Sequence, residues 1–277
     1  MSVPVKIAVL QMTAGIDPAD NTATIVAAAQ TAAGEGAAML FTPEMSGLLD
    51  RNRKRAAPHI VAESANPVLA TVRESAARHD LWIALGSLAV LREDGRFANR
   101  SLLVAPDGSI AARYDKIHMF DVDLASGESW RESHAFAPGE HVVTAATPLG
   151  RLGLTVCYDI RFPALFEELG RQGCDAIAIP AAFTVPTGSA HWHLLQCARA
   201  DEASSWVIAA AQTGHHADGR ETYGHSLVVD PWGDVVLDMG TDPGVGFATI
   251  DPARTAEVRA QIPSLANKRE IPRSHSA

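Results

Sequence analysis

Short apolar runs alternate with helical stretches and then give way to hairpin strands, and this succession occurs twice along the chain. Residues 5–10 form an apolar run fit for a buried strand. Residues 20–36 are Ala-rich, with a polar start and a Gly stop that mark a helix, and 39–42 form a second strand. A helix over 66–79 and a strand over 81–87 follow. Alternating strands at 96–105 and 109–114 are joined through Pro106-Asp107-Gly108, a turn tripeptide. The second half places strands at 142–147 and 152–157, a helix at 163–172, a strand at 175–179 and a helix at 189–204. Strands at 206–212, 223–229, 235–238 and 246–250 then precede a last helix at 252–261, with Asp230-Pro231-Trp232-Gly233 as a hairpin turn. Strands separated by helices pair in parallel and hairpins pair antiparallel, so each half predicts a mixed sheet. Two such sheets packed face to face, with helices outside, make a four-layer α-β-β-α sandwich of α/β class. A simple doubly wound sheet is the alternative.

The length of 277 residues is about what one α/β domain reaches before splitting, which predicts a single domain over 1–263 and a polar tail over 264–277. Hydrophobic residues at 47% and charged residues at 20% are those of an ordinary globular chain, and no apolar run is long enough to span a membrane. A net charge of −9 argues against a nucleic-acid surface, which needs clustered Lys and Arg. The one basic cluster, RNRKR at 51–55, reads as a solvated loop, yet it lies just beyond Glu44 and could face an anionic substrate. Cys157, Cys174 and Cys197 are odd in number and lack CxxC spacing, so neither a disulfide framework nor a zinc cluster is expected. With no leader pattern before the first strand, a reducing cytoplasm is the expected compartment.

Three residues sit at the carboxyl ends of predicted strands and could converge: Glu44, Lys116 and Cys157. In RLGLTVCYDIRFP, at 151–163, an apolar run delivers Cys157 to a sharp turn, close to backbone N–H groups that favour a thiolate. Taken alone, the segment suits a buried strand cysteine better. A carboxylate that can take the thiol proton and an ammonium that can hold an oxyanion supply the remaining parts of acyl transfer from an amide or nitrile. The connection at 116–139 is long for a compact domain and is expected to be functional.

On FTPE at 41–44, YDKIH at 114–118 and GLTVCYDIRFP at 153–163, the chain resembles the nitrilase, or carbon–nitrogen hydrolase, superfamily. KIHMFDVD at 116–123, TGSAHW at 187–192 and YGHSLVVDPWG at 223–233 are similar to its Nit-type amidase branch, which includes omega-amidases and deaminated-glutathione amidases. The resemblance implies the α-β-β-α sandwich, a catalytic Glu44-Lys116-Cys157 triad and Glu132 as a fourth polar residue that positions it. Lys116 and the Tyr158 backbone N–H are expected to hold the oxyanion. A small-molecule amide substrate, no cofactor, and a homodimer or larger homo-oligomer are implied as well. The same triad suits an N-carbamoyl amino acid hydrolase or a nitrilase, and a catalytically idle scaffold is the alternative outside enzymes. His193 and Cys197 depart from the branch pattern, where many relatives carry Glu and Arg.

Other candidates are weaker. His191, His193, His215 and His216 lack the spacing of a metal site, so no metal is expected. Ser226 lacks the second glycine of a nucleophile elbow, and Gly244-Val245-Gly246 opens no helix. Cys174 and Cys197 are expected to pack as small apolar groups. For Asp159 and Arg161, an internal ion pair that holds the turn rigid is preferred over contact between Arg161 and a substrate carboxylate.

Overall fold

The computed structural model describes residues 3–272 apart from 124, 126 and 128. The first half runs β1 (Val5–Gln11), α1 (Pro18–Gly34), β2 (Met39–Phe41), α2 (Arg53–Ala56), α3 (Pro67–His79), β3 (Trp82–Leu91), β4 (Phe97–Val104) and β5 (Ile110–Asp115). A small hairpin, β6 (Asp121–Asp123) and β7 (Ser129–Arg131), follows. The second half runs β8 (Val143–Thr147), β9 (Gly150–Leu154), α4 (Pro163–Arg171), β10 (Ala176–Ala178), α5 (Val185–Ala203) and β11 (Trp206–Ala209). It continues with β12 (Thr213–His215), β13 (Glu221–Tyr223), β14 (Leu227–Val229), β15 (Val235–Asp238) and β16 (Gly244–Ile250), then α6 (Pro252–Gln261) and α7 (Ser264–Asn267).

Two six-stranded mixed sheets result, ordered β16-β1-β2-β3-β4-β5 and β15-β14-β11-β10-β9-β8. Each has three parallel strands at its centre, two antiparallel strands on one side and one on the other. The four-layer sandwich expected from the element order is the architecture, and the single doubly wound sheet is excluded.

The layers follow from which faces are apolar. Ile7 and Val9 of β1 point into the core between the sheets, with Met39, Phe41, Leu103 and Tyr114, on the side shared with Leu152 and Leu154 of the other sheet. Ala8 and Leu10 point the other way, into a second core beneath α1 and α3. A strand covered on both faces is apolar without alternation, which is why residues 5–10 read as a continuous run. Helix α1 is capped by the Asp17 side chain, which accepts from Ala19 N, and it buries Ile25, Ala28, Ala29 and Ala32 along one face. Helices α4 and α5 cover the second sheet through Phe166, Leu169, Trp192, Ala200 and Ala203. No helix among the described residues is long and apolar enough to cross a membrane.

Four elements differ from expectation. Helix α5 begins at Val185 rather than 189, because Pro186 is tolerated in a first helical turn and Gly188 is a packing residue. A Cβ at Gly188 would lie 2.3 Å from Tyr223 Cγ. The strand expected over 223–229 breaks at Gly224 and His225, whose φ of 76° and 54° turn the chain between β13 and β14. The connection at 116–139 carries the β6–β7 hairpin and a 3-10 turn at Glu132–His134. Finally, the polar tail begins as helix α7, where Leu265 packs against Gly170 of α4. Residues 273–277 lie outside the described residues.

Candidate active site

Glu44 follows β2, Lys116 follows β5 and Cys157 follows β9, so three chains leaving their sheets meet at one point. The turn at Glu44 needs a close backbone approach. A Cβ on Gly86 of β3 would lie 2.0 Å from the Thr42 carbonyl oxygen, so only glycine admits the segment. Met45, at φ 54°, turns the chain away immediately after. Cys157 has φ 49° and opens the 3-10 turn Cys157–Arg161, while its N–H donates to the Pro180 carbonyl at 2.9 Å. Pairing in β9 thus ends at Leu154, three residues short of the expected strand end, because the chain must lift the sulfur out of the sheet.

The polar groups form one network. Lys116 Nζ donates to Glu44 Oε1 at 3.1 Å and to Glu132 Oε2 at 2.8 Å. Asn99 Nδ2, from β4, donates to both carboxylates, at 2.8 Å to Glu44 Oε1 and 3.0 Å to Glu132 Oε1. Glu44 Oε2 accepts from Ala182 N at 3.0 Å, and Glu132 Oε2 accepts from Phe120 N at 2.7 Å. Glu44, Lys116 and Glu132 are thus joined with Asn99 in one network, and Cys157 and Tyr158 line the same cavity. The signal for Asn99 is slight: a single amide within a strand.

Lys116, Glu44 and Cys157 are all buried, with Lys116 only 2% exposed. Burial works against the Lys116 charge, but the carboxylates of Glu132 and Glu44 outweigh it and hold its pKa well above the usual value. For Cys157, burial and then the negative charge of Glu44 push the thiol well above its usual range, and Lys116 opposes this only in part. A backbone N–H does favour the thiolate as expected, since that of Ala182 lowers the Cys157 pKa, but burial and Glu44 outweigh it. A thiolate here would be a buried charge set beside the Glu44 carboxylate, which repels it. Burial and the Glu44 charge thus favour the thiol form of Cys157.

Asp159 and Arg161 do not pair. Asp159 is fully buried and accepts from Tyr114 OH at 2.7 Å, His118 N at 3.0 Å and Val156 N at 2.9 Å, with His118 Nδ1 at 2.7 Å. His118 in turn stacks on Phe162 with ring centroids 3.5 Å apart. The turn is held rigid as expected, but by Val156 and by partners on both sides of Lys116. Arg161 instead lines the cavity, with its guanidinium 5.5 Å from the Phe183 ring centroid and 3.4 Å from His191 Nδ1.

The cavity in front of the network measures about 490 Å³ and is lined by Glu44, Lys116, Glu132, Cys157 and Tyr158. Phe120, Trp130, Phe136 and Phe183 supply apolar wall, and Arg51, Arg53, Arg131, Arg161 and Arg220 supply cations. Arg131 is tied to Asp123 and Arg220 to Asp218, whereas Arg51 and Arg161 have no carboxylate partner among the described residues. The basic cluster at 51–55 is therefore split: Arg51 and Arg53 face the cavity, and Arg55 pairs with Asp50.

The carbon-nitrogen hydrolase family profile matches residues 6–260. The chain is 40% identical over 272 residues to a deaminated glutathione amidase of Yersinia enterocolitica, covering 96% of this chain and 93% of that one. The solved NitFhit protein of C. elegans superposes with a TM-score of 0.89 at 34% identity, covering 97% of this chain and 66% of that chain. A mutant amidase from Nesterenkonia sp. AN1, with the acetamide moiety of fluoroacetamide added covalently at its active-site cysteine, superposes with a TM-score of 0.79. That amidase is 26% identical, and the match covers 93% of this chain and 95% of that one. With the strand ends that carry Glu44, Lys116 and Cys157 converging in the same sandwich, this chain belongs to the carbon-nitrogen hydrolase family and is an amidase-type hydrolase.

Proposed function

We propose that this enzyme hydrolyses the terminal amide of a small carboxylic or 2-oxo acid through a thioester on Cys157, with deaminated glutathione as the reference substrate. The observation that carries the reading is a buried thiol–carboxylate–ammonium set opening onto a cavity whose outer wall bears unpaired guanidinium groups. Such a wall suits a substrate with an amide at one end and carboxylate at the other, since guanidinium recognises carboxylate with directed N–H pairs. The name of the Yersinia relative supports the same substrate class.

The reaction divides between the residues by their protonation. Glu44 takes the Cys157 proton as the sulfur attacks the amide carbon, so no free thiolate need accumulate. The Lys116 ammonium lies where negative charge develops on the carbonyl oxygen. The Tyr158 N–H, at the start of a 3-10 turn and so without an acceptor inside it, supplies a second donor. Ammonia leaves with a proton returned from Glu44, and a thioester remains. Water, deprotonated by Glu44, then attacks the thioester, giving the acid and the thiol. Glu132 and Asn99 hold the Lys116 and Glu44 side chains in place.

Ammonia release measured across amides with and without a distal carboxylate tests the reading. The expected result is turnover of the carboxylate-bearing amides, one ammonia per acid and no carbon dioxide, with none in Cys157→Ala. Arg161→Ala should raise KM about tenfold for the acid amides, the cost of one charge-assisted contact, and leave neutral amides unaffected. Ammonia release persisting in Cys157→Ala overturns the mechanism. Equal kcat/KM for neutral and acidic amides overturns the substrate class. The homo-oligomer implied by the resemblance is part of the same proposal, and a monomer mass at micromolar concentration would refute it.

A further inference from the structure

A second cluster of chemistry-bearing side chains lies where α5 passes β14 and β15. His193 Nε2 is 3.0 Å from Asp238 Oδ2, and His225 Nδ1 is 2.9 Å from Asp238 Oδ1 and 3.2 Å from Oδ2. One ligand-type atom from each of the three residues lies within 4.8 Å of the others. We propose that His193, His225 and Asp238 form a binding site for a divalent cation of the zinc type, separate from the Cys157 cavity.

The donor set and its placement carry this. Two imidazole nitrogens and one carboxylate oxygen suit Zn²⁺, Co²⁺ or Ni²⁺, whereas Mg²⁺ and Ca²⁺ favour all-oxygen shells. Around an ion with bonds of about 2.0–2.2 Å, neighbouring tetrahedral donors lie about 3.3–3.5 Å apart. The present N···O separations need open by only tenths of an ångström. The groups are also held from behind. Gly240 N donates to Asp238 Oδ1 at 2.9 Å, Trp192 Nε1 donates to the His225 carbonyl at 2.7 Å, and His225 N donates to the Gly240 carbonyl. His225 is fixed at φ 54°, a conformation that an isolated residue of its type disfavours. Side-chain exposures of 39%, 23% and 35% for His193, His225 and Asp238 leave the cluster open to a hydrated ion.

When the ion enters, each imidazole presents a lone pair at the nitrogen now shared with Asp238 and carries its proton on the other nitrogen. Three protein ligands leave at least one position for water. The ion would tie α5 to the chain on both sides of β14. Tyr223 stacks on His225 at 4.5 Å, and Thr187 and Thr222 line the cavity, so this clamp stiffens one cavity wall. Histidines adjacent in sequence do not reveal the site, because His193 meets one partner from the turn between β13 and β14 and another from β15.

The test uses untagged full-length protein freed of metal by a chelator. Titration with Co²⁺, followed by its d–d absorption, and with Zn²⁺ by calorimetry should show one site near neutral pH. Cys157→Ala should retain it, and no sulfur-to-cobalt charge-transfer band should appear. His193→Ala and Asp238→Asn should each weaken binding at least about tenfold, since even outer partners of metal ligands contribute that much. Zn²⁺ should raise the Tm of the parent protein and not of His193→Ala. Absence of one-site binding overturns the proposal, as does affinity unchanged by His193→Ala or lost in Cys157→Ala, which would place the ion at the thiol.

Discussion

Two buried carboxylates flank Cys157, and they differ in what surrounds them. Asp159 is fully buried away from the cavity and is shared among Tyr114, His118 and Val156. Glu44 borders the cavity, and its oxygens are held by Lys116, Asn99 and Ala182. The first holds a shape, since its contacts are local and closed to substrate. The second sits against a sulfur and an ammonium whose charges its own proton would alter. Access and charged neighbours, not depth of burial, distinguish the two.

Exchanging each for its amide should separate the two roles. Glu44→Gln removes the proton acceptor but keeps the shape, so kcat should fall about 10³-fold, within the range of a general base, with the Tm little changed. Equal activity would remove Glu44 from the reaction. Asp159→Asn should act mainly on stability, because one amide NH₂ then confronts donors. The expected loss is about 1–3 kcal/mol, or about 2–4 °C of Tm for each kcal/mol. An unshifted melting curve would show that the turn does not depend on it. The smallest effect concerns the thiol itself. In Glu44→Gln, burial still holds the Cys157 pKa up, so the thiol stays protonated through neutrality. Its alkylation rate should keep climbing as pH rises past the ordinary thiol pKa of about 8.5. A plateau at neutral pH would mean that a low-pKa thiolate is present after all.

The convergence of Glu44, Lys116 and Cys157 was legible because each sits just past the end of a predicted strand, where α/β sheets gather ligand groups. Asn99 was not, since a lone amide in a strand gives no hint that its side chain reaches residues 55 and 33 positions away. The Asp159–Arg161 pair failed for a related reason. Residues two apart in a helical turn point away from each other, and better partners for Asp159 arrive from residues 114 and 118. The sandwich could be read because strand, helix and hairpin order determines which strands run parallel. The break between β13 and β14 could not, because the left-handed backbone at His225 rests on contacts with Gly240 and Trp192 from elsewhere in the chain.

The flank of β1 opposite β2 is filled by β16, paired over seven residues from Val5–Ile250 to Gln11–Gly244. The equivalent strand of the other sheet, β8, emerges from the ribosome directly before its partner β9. One sheet can therefore close as it is made, while the other keeps an open edge until residue 250 has been synthesised. During that interval β1 offers unpaired backbone groups to any passing strand. A protein shortened before residue 244 would carry that exposed edge permanently, and aggregation rather than a smaller working enzyme is its expected fate.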